Sequence, residues 1–161
     1  MKELLKELCA CNGVPGYEDE VRHCIEKHVA PYADEMITDA MGNLLVFKKG
    51  EKPRKEPMMV CAHMDEVGFM VQSITSNGLV KLVPLGGWVE YNVPAHIFHI
   101  RTRNGSTVRA VTASKPPHFL SAAERPAPLS LDSILLDAGV SSREQALALG
   151  IEPGCPVAPE A

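Results

Sequence analysis

The spacing of the apolar residues changes once along the chain, and this change constrains the fold more than any other feature. Over residues 2–12 and 18–30 they recur at helical intervals, which predicts two amphipathic helices. After residue 66 they fall into short runs separated by Gly, Asn and Ser turn signals. Short strands at regular spacing are typical of a small barrel or sandwich. The chain is therefore expected to contain two parts that meet near residues 66–69.

The first part also contains strand signals. Residues 35–39 and 44–48 predict strands, and residues 58–62 form an almost wholly apolar run. A continuous apolar run of this length is typical of a strand buried on both faces, as in a central parallel sheet. Helices followed by strands predict an α/β layer. Near the other end, Ser141 and Glu144 predict a capping box at the start of a short helix.

Composition and charge exclude several classes of protein. The chain has 161 residues, of which 45% are apolar and 22% charged, as in ordinary globular domains. A net charge of −4 argues against a nucleic-acid partner, which would call for a basic face. No apolar run approaches the length of a membrane span. Five cysteines and no visible signal peptide predict reduced thiols and a cytoplasmic location.

The sharpest local motif is Ala62-His63-Met64-Asp65-Glu66, which directly follows the apolar run. In open α/β sheets, ligands bind at the carboxyl ends of strands. A neutral imidazole is a good zinc or cobalt ligand, and a nearby carboxylate can fix its orientation. Because a metal site usually has at least three protein ligands, these residues alone favour a polar strand end over a metal site.

The other cysteines and histidines are weaker indications of a metal site. Cys24 and His28 are four residues apart on a predicted helix and could meet, but they border its apolar stripe. A buried thiol is the commoner interpretation of such a cysteine. His96 and His99 are three apart in a predicted strand and would point to opposite faces. The sequence has no Gly-rich phosphate loop and no Gly-x-Ser-x-Gly motif.

Taken together, the motifs resemble those of the glutamyl (deblocking) dinuclear metallo-aminopeptidases that build tetrahedral particles. The resemblance covers nearly the whole chain in order, through Val-Pro-Gly-Tyr-Glu-Asp-Glu, Ala-His-Met-Asp-Glu-Val-Gly-Phe and four further blocks, which are residues 39–44, 84–88, 114–118 and 136–146. Some members of this family carry endoglucanase labels.

The resemblance implies a site and a domain plan. It implies that His63 is a metal ligand and that Asp65 is a catalytic residue that orients the metal site. A complete site would hold two divalent metal ions, zinc or cobalt or else manganese. Residues 1–67 would begin an α/β-sandwich catalytic domain. Residues 68–161 would be an inserted, β-barrel-like domain that makes the contacts of a homo-oligomer.

Complete members of the family are longer than this chain, and the resemblance implies that the remaining ligands and the general base lie outside it. The first hypothesis is therefore the N-terminal part of a metal-dependent aminopeptidase, inactive alone, whose complete form releases N-terminal residues from peptides. The second is a non-catalytic truncated product that acts only as an assembly module. A third, an endoglucanase-like glycosidase, rests only on family labels.

Overall fold

Residues 1–65 and 66–161 form two separate units in the computed structural model, which describes residues 1–52, 56–113, 117–119 and 130–160. Most of the resemblance block at residues 114–118, and the stretch around Glu124, lie outside the described residues.

The first unit contains two helices and a two-stranded antiparallel sheet. Its elements are α1 (Lys2–Cys9), α2 (Asp19–Val29), a one-turn 3₁₀ helix (Ala30–Tyr32), β1 (Glu35–Thr38) and β2 (Leu44–Phe47). Acidic residues occupy the first turn of α2 and basic residues its last turn, which complements the helix dipole. In the sheet, Glu35 lies opposite Phe47 and Thr38 opposite Leu44.

A carboxylate closes the turn of this hairpin. Asp39 Oδ1 accepts hydrogen bonds from the backbone N–H groups of Met41 and Asn43, both at 2.9 Å, and Oδ2 accepts one from the Asn43 side chain. These hydrogen bonds, the one from the Asn43 side chain first, hold the pKa of Asp39 below its usual value. Gly42 has φ +84°, a conformation that favours glycine. The block at residues 39–44 of the family resemblance is therefore explained by the residues that this hairpin turn requires.

The prediction of a buried strand over residues 58–62 is wrong. These residues have no regular secondary structure, and Met59 and Val60 are 82% and 87% exposed. A strand needs a neighbour for its backbone hydrogen bonds. In the described part of this unit the only sheet is β1–β2, and neither strand pairs with this run. The run is therefore an uncovered apolar segment, and a central parallel sheet is not formed by the described residues.

The second unit is a closed six-stranded barrel, which confirms the prediction of a small β-barrel. Its elements are β3 (Gly68–Ile74), β4 (Val80–Leu85), β5 (Ile97–Arg101), β6 (Thr107–Ala113), β7 (Leu135–Asp137), α3 (Arg143–Ala148) and β8 (Pro156–Pro159), with one-turn 3₁₀ helices at Glu90–Asn92, Pro117–Phe119 and Leu131–Ser133. The strand order around the barrel is β3-β4-β7-β6-β5-β8, and every pairing is antiparallel.

The barrel interior is filled by alternating strand residues. β5 shows the strict alternation of buried and half-buried positions that a barrel wall requires. Phe69, Phe98 and Trp88 form an aromatic cluster, in which the Phe69 and Trp88 rings stack with centroids 4.7 Å apart. Trp88 Nε1 donates a hydrogen bond to the Gly68 carbonyl at 2.8 Å, so its polar atom is satisfied at the edge of the core.

The capping box of α3 lies one residue later than predicted. The N-cap is Ser142, whose hydroxyl accepts a hydrogen bond from the Gln145 backbone N–H. The Gln145 side chain in turn accepts one from the Ser141 N–H at 2.8 Å. Ser142 takes the role because its backbone is extended, with φ −149°, as an N-cap requires.

Candidate metal centre

The segment that carries His63 passes near a glycine that packs tightly against α2. Gly13 lies in the connection between α1 and α2, and a Cβ atom there would come within 2.4 Å of Val21 Cγ2 and 3.5 Å of the Met64 carbonyl oxygen. Val21 is buried. Only glycine fits this space, so Gly13 allows the connection to pack against α2 and beside the backbone of the 63–65 segment.

His63 and Asp65 are held against each other. His63 Nδ1 lies 2.9 Å from the Asp65 backbone oxygen and 3.2 Å from Asp65 Oδ1. Both oxygens are acceptors, so Nδ1 carries the proton and donates it to them. In the neutral ring this leaves Nε2 with its lone pair free for a metal.

The pair lies at the surface, which excludes a core histidine and is compatible both with a solvated turn and with a metal ligand. The His63 side chain is 84% exposed and that of Asp65 43%. A carboxylate that holds Nδ1–H and leaves Nε2 available is the usual arrangement around metal-binding histidines. The residues present therefore fit the role of one metal ligand and its orienting carboxylate.

The same pair does not make a complete centre among the described residues. Three or more protein ligands are usual for a bound zinc ion. Neither His63 nor Asp65 belongs to a group of three potential ligands in the described ranges 1–52, 56–113, 117–119 and 130–160.

A group of three does occur elsewhere in the first unit. The ligand atoms of Glu7, Cys24 and His28 all lie within 4.8 Å of one another. Sequence reasoning considered the Cys24 and His28 pair and missed Glu7. The signal was present, because Glu7 and Cys11 repeat the i,i+4 spacing of Cys24 and His28 on the neighbouring segment.

The comparisons with known proteins identify a family. The family model described as M42 glutamyl aminopeptidase matches residues 42–161. The lysyl aminopeptidase of Pyrococcus furiosus is 34% identical over 154 residues, which are 94% of this chain and 43% of that protein.

Solved structures of aminopeptidases are similar to this chain as well. The TET aminopeptidase from a marine sediment archaeon, Thaumarchaeota archaeon SCGC AB-539-E09, superposes with a TM-score of 0.88 at 34% identity, covering 98% of this chain and 44% of that one. The Pyrococcus horikoshii TET1 peptidase, described as able to assemble into a tetrahedron or a large octahedral shell, gives 0.83 at 29% identity, with 99% and 46% covered.

Two facts follow from the coverage. The chain spans less than half the length of these relatives. The match is nevertheless spread over nearly all of the 161 residues, including the His63 segment and the barrel. The chain therefore belongs to the M42 glutamyl aminopeptidase family.

Proposed function

We propose that this chain provides part of the active site of a metal-dependent aminopeptidase that hydrolyses N-terminal residues from peptides. The observation that carries the proposal is the His63–Asp65 pair, in which Asp65 holds Nδ1–H and leaves Nε2 available on an exposed side chain. Family membership supplies the class of reaction.

His63 would hold one of the divalent metal ions through Nε2, and Asp65 would keep the ring in the required tautomer and orientation. Bound metal ions of this kind polarise a scissile carbonyl and lower the pKa of a bound water. Asp65 also fixes which ring nitrogen carries the proton, so that Nε2 would be the nitrogen that faces the metal. Zinc, cobalt and manganese all remain compatible with one imidazole ligand.

Polypeptide outside these residues would supply the rest of the centre. Two-metal hydrolysis needs several ligands and a general base near the reacting water. In the described part of the chain, His63 and Asp65 lie in no larger ligand group. The relatives are more than twice the length matched here, so they contain sequence that could carry those groups.

The domain roles are part of the same proposal. Residues 1–67 would belong to the catalytic domain, and residues 68–161 would be the inserted barrel through which copies of the chain assemble. The assembly described for the Pyrococcus horikoshii protein supports a homo-oligomer.

A purely non-catalytic assembly module is the second candidate, favoured by the barrel, which closes with its own strands. A cytoplasmic location remains a prediction from the sequence. Separately, among the described residues no helix has the length and hydropathy that crossing a membrane would require.

A chimera tests the enzymatic role. The 161 residues would replace the matched region of the Pyrococcus furiosus lysyl aminopeptidase, and hydrolysis of aminoacyl substrates would be measured on correctly assembled material. We expect His63→Gln to abolish turnover. Asp65→Asn should weaken metal binding by about 10–100-fold, because an outer carboxylate is lost.

The matched control is His96→Gln, an exposed histidine of the barrel unit whose ring Nδ1 lies 3.0 Å from the Pro94 carbonyl oxygen of its own loop. It should leave turnover unchanged. An assembled chimera that keeps full activity with His63→Gln would contradict the enzymatic proposal and favour the assembly module.

A further inference from the structure

Two helical segments of the first unit each present a pair of potential metal ligands at i,i+4 spacing. Glu7 lies on α1 and Cys11 two residues beyond its end, while Cys24 and His28 lie on α2. His28 Nε2 is 2.8 Å from Glu7 Oε2, and Cys11 Sγ donates to the Glu7 backbone oxygen at 3.3 Å. Residues four apart lie on the same face of a helix, so each segment presents its pair together.

The spacing of these atoms is close to that of a tetrahedral zinc site. Zinc bonds of about 2.0–2.3 Å at tetrahedral angles place neighbouring ligand atoms roughly 3.3–3.8 Å apart. The Glu7, Cys24 and His28 atoms lie within 4.8 Å of one another, and His28 Nε2 is 2.8 Å from Glu7 Oε2. Shifts of less than about 1 Å, within reach of side-chain rotation, would bring them to coordination distance. Cys11 lies outside this group of three, and its thiol is hydrogen-bonded to that of Cys24, so it would have to rotate to become the fourth ligand.

The charge around the thiols suits a cation. Burial, together with the neighbouring Cys24, Glu20 and Glu7 as negative or potentially negative groups, raises the pKa of Cys11 to about 11. The same groups that disfavour an unaccompanied thiolate would favour a bound divalent cation, which displaces the thiol protons. Lys27 Nζ lies 3.4 Å from Glu7 Oε1 but is 75% exposed, so it can turn to solvent.

The helix concerned has little else to hold it. α1 buries none of its residues, and the ion pairs that link it to α2 through Glu7 are partly exposed. Exposed ion pairs contribute little to stability. A metal ion shared by the two segments would supply the missing link, as structural zinc does in small domains.

We propose that Glu7, Cys11, Cys24 and His28 form a structural zinc site that ties the end of α1 to α2, separate from the His63 centre. Its ligand set is two thiolates, one imidazole and one carboxylate. The site goes beyond the peptidase function, because none of its ligands is His63 or Asp65.

Cobalt(II) titration of the full chain, kept reduced with a non-thiol reagent, tests this site. Tetrahedral cobalt with thiolate ligands gives intense visible bands and a near-ultraviolet charge-transfer band, which imidazole and carboxylate ligands alone do not. We expect one such site per chain, displaced by zinc. Cys24→Ser and His28→Gln should each weaken it by at least about tenfold, and zinc should raise the thermal midpoint of the parent chain but not of His28→Gln.

Three controls separate this site from other thiols and from the peptidase centre. Cys9→Ser and Cys61→Ser remove exposed cysteines, and His63→Gln removes the proposed catalytic ligand; all three should keep the cobalt spectrum. His28 is half-buried, so His28→Gln should fold even if Cys24→Ser does not, and circular dichroism checks both. A thiolate–cobalt band that forms in His28→Gln with the same affinity as in the parent chain would overturn the proposal. So would a spectrum without thiolate bands, or the loss of two free thiols to a Cys11–Cys24 disulfide without metal.

Discussion

At the residue scale, two small features determine what His63 can do. Asp65 supplies both oxygens that hold Nδ1, and Gly13 leaves room for the helix connection beside Val21 and Met64. Asp65 determines which imidazole nitrogen carries the proton, and Gly13 lets the helix connection lie near the 63–65 segment. The sequence displays both residues, but only the structure shows that Gly13 is needed for packing rather than for a turn.

Gly13→Ala should therefore destabilise the first unit. The new methyl group would overlap Val21 Cγ2 at 2.4 Å, and overpacking of this kind costs about 1–3 kcal/mol. Denaturant unfolding followed by far-ultraviolet circular dichroism measures the loss. Gly50→Ala is the matched control, since among the described residues its Cβ would meet the Lys52 carbonyl alone, at an ordinary contact distance of 3.5 Å. Equal stability of the two variants would show that the close approach at Gly13 is not tight.

At the scale of elements, the barrel strands are linked by charge as well as by backbone. Arg109 on β6 donates to Glu160, just after β8, through Nε at 3.0 Å and Nη2 at 2.8 Å. β5 lies between these strands, and its His99 Nε2 is 3.5 Å from Glu160 Oε1. The hydrogen bonds from Arg109, with a smaller contribution from His99, lower the pKa of Glu160.

The pH dependence of this link has a definite sign. Because the pKa of Glu160 is lower in the folded barrel than the value of about 4.3 in an unfolded chain, its contribution to stability is present above that value. It is lost as the pH falls through the lowered folded pKa. The free energy of unfolding, followed by Trp88 fluorescence, should fall less between pH 6 and 3 in Glu160→Gln than in the parent chain. Glu90→Gln is the control in the same unit, and an identical pH dependence in all three proteins would contradict the link.

The helices, the hairpin and the barrel could be predicted from the sequence because their signals are local. Helical spacing marked α1 and α2, and turn residues separated the barrel strands. The sequence predicted a strand over residues 58–62 that the structure does not contain, since an apolar run shows the need for burial but not whether neighbouring strands are there to cover it. His63 was recognised through the family motif, whereas Glu7 was missed because its approach to His28 joins residues 21 positions apart on two helices.

At the scale of the whole molecule, the two units differ in how complete they are. The barrel closes on itself through six strands and surrounds an apolar core. The first unit leaves Met58, Met59 and Val60 exposed, directly before the His63 segment. Apolar surface of this kind marks a site of association. The exposed run is therefore a candidate surface for association beside the His63 segment.

Hydrolysis of aminoacyl substrates by the isolated 161-residue chain, supplied in turn with zinc, cobalt and manganese, tests most directly whether His63 belongs to a shared centre. Two-metal hydrolysis needs several ligands and a general base. Because His63 and Asp65 belong to no group of three potential ligands among the described residues, the chain should show no turnover above the metal-only blank. Metal-dependent turnover that His63→Gln abolishes would contradict this, because it would mean that these residues, or their assembly, already contain a complete active site.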